Sequence, residues 1–310
     1  MIIEVENLVK RYGSLMALNH FNLKVKKGER LGLLGPNGSG KSTAINCMLS
    51  LLSYDKGSIK LFGEEMAPDK YDLKRRIGVV PQEVAVFSEL TAEQNIDYYC
   101  GLYIADKATR KQHVAEVIEL VGLEEFRNFV PAKLSGGLKR RLNIACGIVH
   151  KPELIFLDEP TVAVDPQSRN KILESIRILN EQGATIVYTT HYMEEVESLC
   201  NHIVILDQGE VIAEGSKEEL KQMIRTTEKL VIELPFFSDS LKKYLAGQPD
   251  IIETEYDQIF LTLHTTHLKK TLLELLSFFS TQQLDFGSIH TQEVTLNDVF
   301  LEITGKALRD

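Results

Sequence analysis

GPNGSGKST, Gly35 to Thr43, is the stretch whose reading decides the fold. It fits the pattern G-x-x-x-x-G-K-[ST], with Gly35 first, Gly40 and Lys41 closing the loop and Ser42 last. Upstream, Arg30 to Leu34 (RLGLL) is a short apolar run that predicts a buried strand, and downstream Ala44 to Leu52 predicts a helix. A glycine-rich turn between strand and helix brings successive backbone N–H groups against phosphate oxygens, and the helix adds its positive dipole end. Pro36, Asn37, Gly38 and Ser39 form the body of that cradle. Lys41 is placed to reach the β- and γ-phosphates, Ser42 to bind Mg²⁺ and Thr43 to support the α-phosphate. Glycine-rich turns are common, but the full pattern in this context specifies a bound nucleoside triphosphate. It does not say what the nucleotide drives.

The surrounding chain narrows the class. Its 310 residues suit one large domain and a smaller one, and 44% apolar with 25% charged residues is an ordinary globular balance. A formal net charge of −9 leaves no basic surplus for neutralising nucleic-acid phosphates, so no nucleic-acid partner is expected. Cys47, Cys100, Cys146 and Cys200 form no C-x-x-C pair, which favours core packing in a reducing compartment. The start, MIIEVENLVKRYG, has acidic residues early and no long apolar core, unlike a signal peptide. No apolar run of 18 residues occurs, so no membrane span is expected.

In chain order, Ile2 to Val9 and Leu18 to Val25 predict strands around Tyr12-Gly13-Ser14. Tyr12 is either an ordinary turn aromatic or a flat face for a nucleobase. Gly57 to Gly63 predicts another strand, and Ile77 to Val80 a further one that ends at Gln82. Thr91-Ala-Glu-Gln94 is a capping box, and Val114, Val117, Ile118 and Val121 form one helical stripe ending near Gly122. This helical insertion runs into Leu134-Ser135-Gly136-Gly137-Leu138, which opens a helix and so offers a second anion site. Leu154 to Leu157 (LIFL) predicts a central parallel strand with Asp158 and Glu159 at its carboxyl end, where open α/β sheets bind ligands. One carboxylate can hold a metal while the other handles a proton. Asp165-Pro166 caps a helix, and Ala184 to Tyr188 predicts a strand that delivers His191 to the same edge.

Phosphate loop, LSGG stretch, strand-Asp-Glu and strand-tip histidine, in this order and with a helical insert, resemble the ATP-binding subunit of an ABC (ATP-binding cassette) transporter. The resemblance covers Met1 to about Ile224. It implies an α/β phosphate-loop NTPase core over 1–224, with a helical subdomain at about 83–150. By this likeness Tyr12 stacks on adenine, Gln82 contacts Mg²⁺ and senses a membrane subunit, and Asp158 organises Mg²⁺. Glu159 is the general base, His191 the switch on the γ-phosphate, and Ser135, Gly136 and Gly137 bind the γ-phosphate held by the opposite subunit. Val162 to Asp165 matches the loop that crosses between subunits. Implied partners are a second copy or a similar ATPase, head to tail, and separate membrane-spanning permease subunits docking near Val84, Val86, Phe87 and Leu90. The ATPase itself would then be peripheral on the cytoplasmic face of the membrane.

Leu138 replaces the usual glutamine of the signature, and Ala163 stands where glycine is frequent; neither removes a phosphate ligand. Leu138, the TVAVDPQSR wording and the closing VTLNDVFLEITG are most similar to the drug- and antibiotic-exporter branch. An importer ATPase, or a soluble ABC-type ATPase acting on ribosomes or DNA, is the alternative; a nucleotide kinase would leave LSGG without a role. The cargo is not written in an ATPase chain. Arg225 to Glu228 reads as a linker to a C-terminal accessory domain over 229–310. Its strand-helix-strand-strand-helix-strand pattern predicts a small α+β, ferredoxin-like unit followed by a capped helix.

Overall fold

Alternation sets the first sheet. In the computed structural model, which describes residues 1–224, 228–292 and 294–304, β1 (Ile3–Tyr12) and β2 (Leu15–Val25) pair antiparallel across Gly13-Ser14. β3 (Arg30–Leu34), α1 (Lys41–Met48), β4 (Lys56–Leu61) and β5 (Glu64–Glu65) follow. The antiparallel order is β2-β1-β4-β5. The phosphate-loop helix starts at Lys41 rather than Ala44, because left-handed Gly40 ends the loop and its carbonyl already accepts from Ala44 N at 2.8 Å.

A second sheet positions the site. α2 (Tyr71–Lys74) leads into β6 (Ile77–Val80), and α3 (Ala92–Gly101), α4 (Lys107–Val121) and α5 (Gly136–Ile148) form the helical insertion. Then come β7 (Leu154–Asp158), α6 (Pro166–Glu181), β8 (Thr185–Thr190) and α7 (Met193–Leu199). β9 (His202–Asp207), β10 (Glu210–Gly215) and α8 (Lys217–Gln222) complete this part. The order is β10-β9-β3-β8-β7-β6, parallel except for the edge strand β10. Helices on both faces account for the continuous apolar runs of β3, β7 and β8, since neither face meets water. α7, β9 and β10 lie in a stretch, 192–215, that yielded no sequence expectation beyond His191.

The caps expected in the insertion form. Thr91 Oγ1 accepts from Gln94 N at 3.2 Å while Gln94 Oε1 accepts from Thr91 N at 2.9 Å. Val114, Val117, Ile118 and Val121 are all buried, and Gly122 ends α4 at φ +67°.

The chain divides into two compact units, Met1–Leu220 and Lys221–Lys306. The second contains β11 (Glu228–Glu233), α9 (Asp239–Ala246), β12 (Ile251–Tyr256) and β13 (Phe260–Thr265). α10 (Leu268–Gln282), β14 (Ile289–Gln292) and α11 (Leu296–Thr304) follow. Its antiparallel order, β12-β13-β11-β14, is that of a ferredoxin-like sheet, around a core of Leu230, Ile232, Leu261, Leu263, Leu275 and Phe279. The linker residues 225–227 and Gly305 at the end of the closing helix lie outside the described residues.

Candidate active site

Four neighbouring parallel strands deliver the site. β3 ends in the phosphate loop, β8 in His191, β7 in Asp158-Glu159 and β6 two residues before Gln82. The register pairs Leu34 with Thr190, Asp158 with Thr189 and Val80 with Leu157, so all four carboxyl ends share one edge.

The loop is built around close approaches. Gly40 has φ +108°, and a Cβ there would sit 2.6 Å from the Ala17 carbonyl oxygen. Lys41 is nearly fully buried, and its Nζ donates to the carbonyls of Gly35 at 2.7 Å and Pro36 at 3.0 Å. Burial pushes the Lys41 pKa down, against the opposing pull of Glu159 and Asp158. Ser39 Oγ is buried without a hydrogen-bond partner. Ser42, Asn37 and Gly38 are exposed on the same loop, and Thr43 is half-buried.

Glu159 is where the strand ends meet. Its Oε1 lies 3.8 Å from Lys41 Nζ and 3.5 Å from His191 Nδ1, and its Oε2 accepts from Gln82 Nε2 at 3.3 Å. The residue is buried and adopts φ +46°, a left-handed conformation costing a non-glycine residue about 1–3 kcal/mol. Two acceptors on Thr189 hold its N–H, the carbonyl at 3.1 Å and Oγ1 at 3.0 Å. Thr189 Oγ1 also donates to Asp158 Oδ1 at 2.5 Å, so the adjacent carboxylates have different partners. His191 Nδ1 makes no hydrogen bond, and the ring packs 4.2 Å from that of Tyr192.

Gln82 is fixed from the helical insertion. Arg140 Nη1, on α5, donates to its carbonyl at 2.5 Å, and Asn143 Nδ2 donates to the Pro81 carbonyl at 3.1 Å. Downstream, Asn95 Oδ1 accepts from Phe87 N at 2.7 Å and Tyr99 Oη donates to the Ala85 carbonyl at 2.7 Å. Val84 and Phe87 remain exposed, with Phe87 edge-on to Tyr98 at 4.8 Å. Sequence reading named none of Arg140, Asn143, Asn95 or Thr189. Their signal, polar residues at buried phases of helices or strands, is visible only once the burial is known.

Tyr12, 47% exposed, has Lys10 Nζ 5.0 Å from its ring centroid. Ser135 caps α5, its Oγ accepting from Leu138 N at 3.2 Å, a backbone contact indifferent to the Leu138 side chain. Gly136 is exposed and Gly137 buried; a Cβ on Gly137 would collide with Ser168 Oγ. Asp165 caps α6 by accepting from Ser168 N at 2.9 Å, and with Ser135 it lines a cavity of about 960 Å³. Among the described residues no hydrogen bond or ion pair joins Ser135–Gly137 to the Gly35–Thr43 loop. Ala163 has φ +57°, which explains why glycine is favoured at that position.

Ser39 Oγ and His191 Nδ1, neither of which makes a hydrogen bond, together with the glycine cradle and the desolvated Lys41 fit a phosphate chain. Hydroxyl, carboxylate and amide oxygens of Ser42, Asp158 and Gln82 are hard donors of the type that Mg²⁺ takes.

Comparison with known proteins identifies the family. The profile described as "ABC transporter" matches residues 18–162. The linearmycin resistance ATP-binding protein LnrL of Bacillus subtilis (strain 168) is 39% identical over 100% of both chains. The Nod factor export ATP-binding protein I of Ralstonia nicotianae is 32% identical over 100% of this chain and 95% of that one. A solved dimeric ATP-binding cassette in a post-hydrolysis state, bound to ADP and Pi, aligns with TM-score 0.63 and 30% identity, over 69% of this chain and 98% of that one. The chain belongs to the ABC transporter family, among its ATP-binding proteins.

Proposed function

We propose that this chain is the ATP-hydrolysing subunit of an ABC exporter, with a drug, antibiotic or lipid-like cargo. The observation that carries the catalytic part is the Glu159 carboxylate, met by Lys41, His191 and Gln82 from the ends of three other strands. Resistance and export in the names of full-length relatives support the direction of transport.

Tyr12 stacks on the adenine. The N–H groups from Gly35 to Gly40 surround the phosphates, Lys41 exchanges its two carbonyl partners for β- and γ-phosphate oxygens, and Thr43 supports the α-phosphate. Ser42, Asp158 and Gln82 would hold Mg²⁺, which would supply positive charge to offset that of the phosphates. Glu159 takes a proton from the attacking water and His191 Nδ1 hydrogen-bonds the γ-phosphate. Ser135, Gly136 and Gly137 act in trans on nucleotide held by a second copy or a similar ATPase, and Asp165 closes the loop that crosses to it. The absence, among the described residues, of any hydrogen bond or ion pair between Ser135–Gly137 and the phosphate loop of the same chain fits that arrangement. The exposed Val84 and Phe87 offer a docking surface to permease subunits on another chain. No helix among the described residues is long and apolar enough to cross a membrane, which fits a peripheral place on the cytoplasmic face.

Glu159→Gln tests the reading. The amide keeps shape but cannot take the proton, so turnover falls by roughly 10²–10⁴-fold while nucleotide binding survives. ATP then accumulates a closed dimer, read by light scattering. Near-normal turnover removes the general-base role, and loss of nucleotide binding makes Glu159 structural.

A further inference from the structure

α7 begins Met193-Glu-Glu-Val196, and its two acidic residues part company: Glu194 is exposed and Glu195 is buried. A buried carboxylate is unfavourable unless hydrogen bonds replace its water. Glu195 Oε2 has three such bonds, accepting from Tyr188 Oη at 2.7 Å, Thr161 Oγ1 at 2.8 Å and Thr190 Oγ1 at 3.2 Å. All three donors are fully buried. Burial and the Glu195 charge hold the Tyr188 phenol pKa well above its usual value, so it remains a donor. Oε1 faces Arg169 Nε at 3.3 Å, and that guanidinium lies 5.0 Å from the centroid of the Tyr192 ring.

The positions of these partners along the chain point to a role in catalysis. Thr161 stands two residues after Glu159 and immediately before the Val162–Asp165 loop. Thr190 immediately precedes His191. Arg169 lies in the first turns of α6, the helix capped by Asp165. Consecutive threonines of β8 therefore brace opposite sides: Thr189 holds the Asp158 side chain and the Glu159 N–H, and Thr190 reaches Glu195. Glu159 keeps its left-handed backbone between these two restraints, one at its own N–H and one at Thr161.

We propose that Glu195 is a positioning residue for ATP hydrolysis, tying Thr161 to Thr190 so that Glu159 and His191 are held in one mutual geometry. Releasing Thr161 lets the strained Glu159 backbone relax and carries its carboxylate off the line of the attacking water. The same bond makes the crossing loop part of the site, because a displacement of Val162–Asp165 pulls on Thr161 first. The inference rests on Glu159 and His191 being the reacting pair.

Thr161→Val in the full chain is the test, since it keeps the branched shape and removes only the hydroxyl. A misplacement of about an ångström costs on the order of 10- to 100-fold. We expect kcat to fall by that factor with KM for ATP and nucleotide affinity within about twofold, the signature of a contribution made in the transition state. Thr161→Ser, which restores the hydroxyl, recovers most of the turnover. Thr190→Val cuts the other end of the tether and behaves as Thr161→Val does. Ser175→Ala removes a buried hydroxyl of α6 that bonds the Leu120 and Lys171 carbonyls at 2.9 and 2.8 Å, far in sequence from either reacting residue. It lowers thermal stability comparably and leaves kcat unchanged. If Thr161→Val and Thr190→Val lose stability but keep wild-type kcat, Glu195 is structural and the inference is overturned. Glu159→Gln is run in parallel: its loss of turnover beside an active Thr161→Val sinks the inference alone, whereas an active Glu159→Gln sinks the underlying reading with it.

Discussion

The two units of the chain treat buried polarity in opposite ways. In Met1–Leu220 the carboxyl edge of the parallel sheet keeps a desolvated Lys41, a strained Glu159, and Ser39 Oγ and His191 Nδ1 buried without hydrogen bonds. In Lys221–Lys306 the core is aliphatic and aromatic, and its two buried threonines, Thr265 and Thr271, bond each other at 2.7 Å. Among the described residues, the first unit keeps buried polar atoms without hydrogen bonds, two of them beside Lys41 and Glu159, and the second unit shows none. Unsatisfied buried polarity is where chemistry is to be sought.

If that contrast is sound, damage to one unit stays within it. Leu263→Ala, at a fully buried position of β13, should destabilise the second unit by about 2–5 kcal/mol, seen as a lowered or separate melting transition. ATP affinity should be untouched; a parallel loss would break the contrast. Tyr12→Ala is the converse case, since it removes a half-exposed ring and costs no core. Its loss of stacking weakens ATP binding by about 1 kcal/mol, roughly fivefold, with both melting transitions in place. A binding isotherm unchanged by this substitution would leave Tyr12 an ordinary turn residue. The smallest effect is expected of a chain ending at Ile224: nucleotide affinity stays as in the full chain, while light scattering with ATP reports weaker dimerisation. Full dimer formation by the short chain would strip the second unit of that role.

The phosphate loop, the strand-tip carboxylates and the cap residues were legible because each is a local device. Gly40 must tolerate φ +108°, Asp165 and Thr91 must face the first turn of their own helices, and LIFL must be dry on both faces. The ferredoxin-like unit was legible for a similar reason, since its central strands β11 and β13 alternate and its helices are striped. What escaped was held by long-range bonds. Arg140 reaches Gln82 across 58 positions and Glu195 reaches Thr161 across 34, so neither has a short sequence pattern. Glu195 did leave a trace: it shares the inward phase of α7 with Val196 and Leu199, an odd place for a carboxylate without partners. Ala163 shows the reverse case, a departure from the usual glycine whose meaning became plain only from its positive φ.

The strand order also has a consequence for biosynthesis. β3, which carries the phosphate loop, is flanked by β8 and β9, and both are encoded far downstream of it. Until β9 leaves the ribosome, after roughly 170 further residues and about 10–35 s of elongation, β3 has unpaired edges and the loop lacks its neighbours. Gly35 packs under the Leu206 carbonyl and Ser39 accepts from Gly209 N at 3.0 Å, so the nascent loop cannot close earlier. The nucleotide site is thus among the last parts of its unit to become competent.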